Sequence, residues 1–339
     1  MRRGLFVVLQ GGALAALFIV VSLVCTVADS EDSSAHVNRI ENGLLGAATI
    51  KGRPVETMRL ADRMRHYNVP GVSIAFFQHG RIVWTLTYGF ADVSTNKPVT
   101  PETLFQAGSI SKPLAAMAAL GLVQKGKLTL DGDVNLKLRT WKVPENEFTK
   151  SEKVTLRRIL SHTAGFTVHG FNGYADGEPL PKIIQILNGE KPANNEPIRV
   201  HSTPGAAWDY SGGGYVVLQL LLTDVTGKPF PELLNELVLR PTSMVHSTFE
   251  QPLPKKLWAD AAMLRQRGPT SKRRLAYIPG DGPCGPLDYY LRPCTLCHRG
   301  AKRIHGPVEK NSLARLGSSD ARSTERRLGA RLHPRTFGS

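Results

Sequence analysis

Ser109 and Lys112 stand three residues apart in "LFQAGSISKP", at the mouth of the apolar run "SISKPLAAMAALGLVQKG". If that run is helical, their side chains lie one turn apart on one face, close enough to exchange a proton. A free serine hydroxyl is a weak nucleophile at neutral pH and needs a base. Desolvation against an apolar helix favours an uncharged amine, so Lys112 is the first candidate base. A second is Tyr210 in "WDYSGGGYVVLQ", at the tip of a Gly-rich loop before a further helix, where a phenol near an ammonium can shuttle protons. The chemistry that these three side chains suggest is acylation and deacylation of a serine.

Ser-x-x-Lys is a weak pattern alone, and Ser94 with Lys97 in "DVSTNKP" repeats it. That copy falls in a polar turn before Pro98, with no buried helix to hold its lysine. Ser109 has the helix, whose first amides carry partial positive charge and favour a nearby oxyanion. A purely structural reading makes Ser109 an N-cap, Lys112 a snorkelling surface residue and Tyr210 a packed aromatic. The Gly-rich loop turns the balance toward catalysis. His162 in "LSHTAG" ends a helix and reads as a capping or packing residue, and Trp208 either lines the substrate cleft or packs beneath the loop.

The elements that must position these residues follow from periodicity. "RLADRMRHYNVPG" has apolar residues at helical spacing, and "GVSIAFFQHGRIVWTLTYGFADV" gives two strands joined by His79-Gly80. The Ser109 helix is apolar nearly all round and reads as a buried central helix, with Pro113 tolerated in its first turn. "TLRRILSHTAGF" is a helix capped by Thr155 and closed before Gly165, and "YVVLQLLLTDVTGKPFPELLNELVLRP" gives two more, parted at Gly227. Strands at the front and a long helical middle fit an α+β domain with a helical insert.

The chain has 339 residues and a formal charge of +15, but residues 265–339 carry 16 Lys and Arg against 5 Asp and Glu, so most of the charge sits there. The N-terminal segment 1–28 pairs two arginines with an apolar stretch over 5–24 and small residues at Thr26 and Ala28. It reads as an export signal cut after Ala28, with an uncleaved membrane anchor through 5–24 as the alternative. The domain is then expected outside the cytoplasm: periplasmic, secreted or anchored. Residues 29–264 contain no cysteine, so the stability of this body owes nothing to disulfides.

The stretches "LFQAGSISKPLAAMAALGLVQKGKLTLDGDV", "VTLRRILSHTAGF" and "PGAAWDYSGGGYVVLQLLLTDVTGKPF" resemble the class C β-lactamase and D-alanyl-D-alanine carboxypeptidase family of serine hydrolases, which includes many esterases. The resemblance covers about residues 55–250. It implies a β-lactamase/transpeptidase-like fold, an antiparallel sheet with flanking helices and a helical subdomain, and no cofactor or metal. It implies Ser109 as the acylated nucleophile, Lys112 as its activator and Tyr210 as general base and acid, with the Ser109 amide as one oxyanion donor. Trp208 and Gly212 would face the substrate. Gly212 stands where β-lactamases of this type have the asparagine of Tyr-x-Asn, which argues against a specialised β-lactamase and leaves ester or peptide chemistry open. The expected substrate is a small molecule or peptide carrying an ester, a peptide-like amide or a β-lactam; the alternative is a catalytically dead family member that only binds.

Downstream, residues 265–339 are rich in Arg, Gly, Pro and Ser without sustained period, and are expected to form no strands and no family C-terminus. The third motif of the family, Lys-Thr-Gly or His-x-Gly on a strand opposite the serine, is not recognisable, so an incomplete sheet is expected. His298-Arg299-Gly300 matches His-x-Gly by chance. Cys294, Cys297 and His298 spell a haem attachment pattern, and Cys284 would complete a zinc set, yet no packed shell accompanies either. Nucleic acid is excluded as a partner for an exported chain, and the basic run reads as a solvated tail.

Overall fold

The turn at His79-Gly80 places both residues at positive φ, 49° and 72°, as a tight hairpin of right-handed strands requires. It joins β3 (Gly71–Gln78) to β4 (Arg81–Asp92), which pair antiparallel from Gly71↔Gly89 to Gln78↔Arg81. β5 (Lys97–Pro98) completes a sheet in the order β3-β4-β5. The computed structural model describes residues 34–46, 48–174, 178–263 and 290–291. The expected export signal and the cysteine and His298 readings lie outside the described residues. Before the hairpin come α1 (34–42), the paired β1 (Leu44–Leu45) and β2 (Thr57–Met58), and α2 (Leu60–His66).

The duplicate Ser-x-x-Lys pattern makes no pair. Asp92 Oδ1 accepts from the Ser94 amide at 2.8 Å and hydroxyl at 2.5 Å, while the Lys97 amine donates to the Ala259 carbonyl.

After β6 (Phe105–Gln106), a 3₁₀ turn over Gly108–Ile110 leads into α3 (Ser111–Gln124). The helical body continues through α4 (Glu147–Ser151), α5 (Leu156–Leu160), α6 (Ile183–Asn188), α7 (Gly212–Thr226) and α8 (Phe230–Leu234), which runs into a π turn at Asn235–Leu239. Caps fall where the sequence puts them. Thr155 Oγ1 accepts from the Arg158 amide at 3.3 Å, and Gly227 closes α7 in the left-handed region at φ 68°. α7 is the axis of the core: Val216, Val217, Leu218, Leu221 and Leu222 are wholly buried against residues of α3, α5, α6 and α8.

Two expectations are corrected. α3 is not buried all round. Leu114, Ala115, Ala118, Ala119 and Leu122 face α7, α8 and the π turn, whereas Met117 and Leu120 are 38% and 46% exposed. An Ala- and Leu-rich helix shows the same composition whether one face or two are covered, so periodicity alone does not reveal the open side. The second correction concerns the tail. Tyr290–Leu291 forms β7, which pairs antiparallel with β6 in the register Phe105↔Leu291 and Gln106↔Tyr290. A two-residue ladder needs only backbone donors and acceptors, which a polar composition does not remove. Among the described residues no helix is long and apolar enough to cross a membrane.

Candidate active site

Gly108 takes a left-handed conformation, φ 53°, that turns the chain out of β6. The Ile110 amide closes back on the Ala107 carbonyl at 3.2 Å, which sets Ser109 on the exposed 3₁₀ turn just before α3. The expected one-turn separation from Lys112 survives this change of helix type. Lys112 Nζ donates to Ser109 Oγ at 3.0 Å, and the Tyr210 hydroxyl donates to the same oxygen at 2.8 Å. Lys112 Nζ also lies 5.1 Å from the Tyr210 ring centroid and 5.6 Å from that of Tyr215, inside cation–π range. One hydroxyl, one amine and one phenol thus share hydrogen bonds, and a hydroxyl that accepts twice still has a proton to give. Such an arrangement can draw that proton away while the serine oxygen attacks a carbonyl.

Tyr210 is held by the segment that follows α5. The Asp209 amide donates to the His162 carbonyl at 2.8 Å and the Ser211 amide to His162 Nδ1 at 3.2 Å, so the residues on both sides of Tyr210 are tied to one histidine. Ser211 Oγ donates to the Thr167 carbonyl at 2.7 Å and accepts the Gly214 amide at 2.9 Å as N-cap of α7. The Gly212 and Gly213 amides donate to the His169 and Val168 carbonyls at 3.0 and 2.9 Å. The His162 ring stacks on Tyr210 with centroids 4.3 Å apart and planes 29° apart, and lies 5.2 Å from Tyr215. His162 is therefore both the helix-ending residue of the sequence reading, at φ 56°, and a neighbour of the phenol. Burial, then Lys112, then His169 push its pKa below the ordinary imidazole value. Burial, with the adjacent Tyr210, pushes the Tyr215 phenol up to about 12, so that ring stays neutral beside the amine.

The remaining sequence candidates sit differently. Trp208 is 68% exposed, its ring 6.4 Å from that of Tyr210, rather than packed beneath the loop. Gly212 is buried, and a Cβ there would lie 3.0 Å from the His169 carbonyl oxygen and 3.3 Å from Phe171. Sequence reasoning missed His169 and Tyr215, whose rings complete the surround of Tyr210 and Lys112; the repeated histidine in "SHTAGFTVHG" was the available signal. Two open clefts of about 840 and 820 Å³, one beside α1, α2 and β4 and one beside α8, lie away from Ser109. Among the described residues no group of three or more His, Cys, Asp and Glu could hold a metal ion.

Close packing beneath Tyr210 makes Gly213 a sensitive position. A Cβ would stand 2.7 Å from the Thr167 carbonyl oxygen and 3.1 Å from two Ile198 side-chain carbons. The carbonyl cannot retreat without loosening the Ser211 bond to it, so Gly213→Ala is expected to cost about 1–3 kcal/mol in a urea melt. It should also lower activity by shifting the start of α7.

The family model for beta-lactamases matches residues 58–318. The chain belongs to the beta-lactamase family. Among curated relatives of this family, the putative penicillin-binding protein PbpX of Bacillus subtilis (strain 168) is 29% identical over 203 residues, covering 60% of this chain and 46% of PbpX. Protein flp of Staphylococcus aureus (strain N315) is 26% identical over 187 residues, covering 54% of this chain and 36% of its own. The chain thus spans less than half the length of these relatives. An octameric penicillin-binding protein homologue from Pyrococcus abyssi superposes with a TM-score of 0.56 at 25% identity, over 72% of this chain and 55% of that one. EstCE1, a hydrolase with promiscuous acyltransferase activity, gives 0.53 at 23% identity, over 70% of this chain and 68% of its own. The α+β architecture of this beta-lactamase family member is accordingly the β-lactamase/transpeptidase-like fold.

Proposed function

We propose that the chain is an exported serine hydrolase of the β-lactamase and penicillin-binding type, acting on a small-molecule or peptide substrate through an ester, a peptide-like amide or a β-lactam. The observation that carries the reading is the double hydrogen bond to Ser109 Oγ from Lys112 and Tyr210. In acylation Ser109 Oγ attacks the substrate carbonyl carbon and its proton passes to the amine and phenol pair. The tetrahedral oxyanion then collapses, the carbonyl bond to the leaving group breaks, and the leaving oxygen or nitrogen takes that proton. In deacylation water attacks the Ser109 ester, gives its proton to the same pair, and Ser109 Oγ recovers a proton as the acid product leaves.

Gly212 brings no side chain to the substrate, and Trp208 offers an exposed aromatic surface. The absence of a side-chain amide at Gly212 suits ester or peptide chemistry over specialised β-lactam hydrolysis. The decisive experiment is incubation of the full chain with a fluorescent penicillin or a fluorophosphonate, followed by peptide mass mapping. The adduct is expected on the peptide containing Ser109. A chain that takes up no label, or takes it up elsewhere, is a binding protein on this fold and not a serine hydrolase.

A further inference from the structure

His162 lies outside the hydrogen bonds to Ser109, yet it touches the loop that carries Tyr210 at three points. Its carbonyl accepts the Asp209 amide at 2.8 Å, its Nδ1 accepts the Ser211 amide at 3.2 Å, and its ring lies against the phenol at 4.3 Å. The two amides flank Tyr210 in the chain, so the histidine fixes the backbone on both sides and the ring between them. Its own backbone is in the left-handed region, φ 56°, where the chain leaves α5.

We propose that His162 is the positioning residue that holds Tyr210 against Ser109, with its imidazole stacked on the phenol and its Nδ1 bound to the Ser211 amide. The inference deepens the serine hydrolase reading and rests on it for its kinetic consequences alone. Because Nδ1 accepts a hydrogen bond, only the neutral ring with its proton on Nε2 fits the site. A proton taken from solvent onto Nδ1 would set two donors against each other at the start of α7. It would also add a cation to a space already facing Lys112 from α3, His169 from the following loop, and the phenols of Tyr210 and Tyr215.

The depressed imidazole value gives the direction of the pH effect. The neutral state is complete above 6.5, the ordinary value, and its contribution is lost as pH falls through the lower value of the folded protein. An acid limb in kcat below 6.5 is therefore expected to belong to His162.

Three variants of the full chain test this against a chromogenic ester. His162→Ala, lacking both ring and acceptor, should lose on the order of 10- to 100-fold in kcat with little change in KM, the size expected when a reacting group is displaced by about an ångström. His162→Asn tolerates the left-handed backbone and supplies Oδ1 to the Ser211 amide, so it should recover part of that loss. His162→Phe keeps the stack and cannot titrate, so its profile should lack the acid limb. Wild-type kcat and acid limb in all three variants would overturn the proposal. A second readout is independent of turnover: in Ser109→Ala protein, the His162 ring proton signals should titrate below 6.5, and the Tyr210 ring signals should move with them. Tyr210 signals indifferent to that transition would overturn the positioning role even in an active enzyme. Their coupling in a protein without Ser109-dependent turnover would instead sustain it and remove the hydrolase reading.

Discussion

Replacing Ser109 by alanine is expected to remove covalent labelling by fluorophosphonate and to lower ester turnover by on the order of 10³-fold or more. The magnitude follows from the loss of the atom to which both Lys112 and Tyr210 are hydrogen-bonded. The fold should be untouched: Ser109 is exposed on its 3₁₀ turn, and the cap of α7 and the core around it do not involve its side chain. Circular dichroism and the urea midpoint should match the parent within error. Retained labelling in Ser109→Ala would assign the nucleophile to another residue and end the mechanism given above.

Tyr210→Phe is the second large effect, and a different one. The substitution removes a hydroxyl and keeps the ring, so the stack on His162 and the cation–π contact with Lys112 persist. What disappears is the 2.8 Å bond to Ser109 Oγ and the proton path through it. Loss of a general acid–base group costs about 10²- to 10⁴-fold in kcat, and KM should change little because the hydroxyl faces the nucleophile. Ser109 should still take up the fluorophosphonate slowly, with Lys112 remaining in hydrogen-bond reach at 3.0 Å. Steady-state kinetics beside labelling rates separate the two roles; a Tyr210→Phe protein with unchanged kcat would leave Lys112 as the sole proton acceptor.

Most of what surrounds Ser109 was legible because it is written in short-range patterns. The serine and lysine spacing, the Thr155 cap and the glycine that ends α7 are local, and local rules of capping and periodicity reach them. The β3–β4 hairpin was legible for the same reason, through two turn residues at positive φ. The role of His162 was not. Its contact with Tyr210 joins residues 48 apart through a stack whose partners carry no shared periodicity, and only the packed α5–α7 segment brings them together. The open side of α3 is not legible because composition records what a helix is made of and not what covers it. Nor is the β6–β7 ladder, because pairing over two residues leaves no pattern to read.

Ser109 and Lys112 come from the entry to α3, Tyr210 from the entry to α7, and the stacked His162 from the end of α5, all elements that contribute to one buried cluster. The supports of the proposed site are therefore expected to open as a single cooperative unit. Amide protons along the middle of α7 should exchange with solvent only when that whole unit opens. The helices that carry these side chains thus share one global stability, while the His162 contacts set the finer alignment of Tyr210 within the folded state.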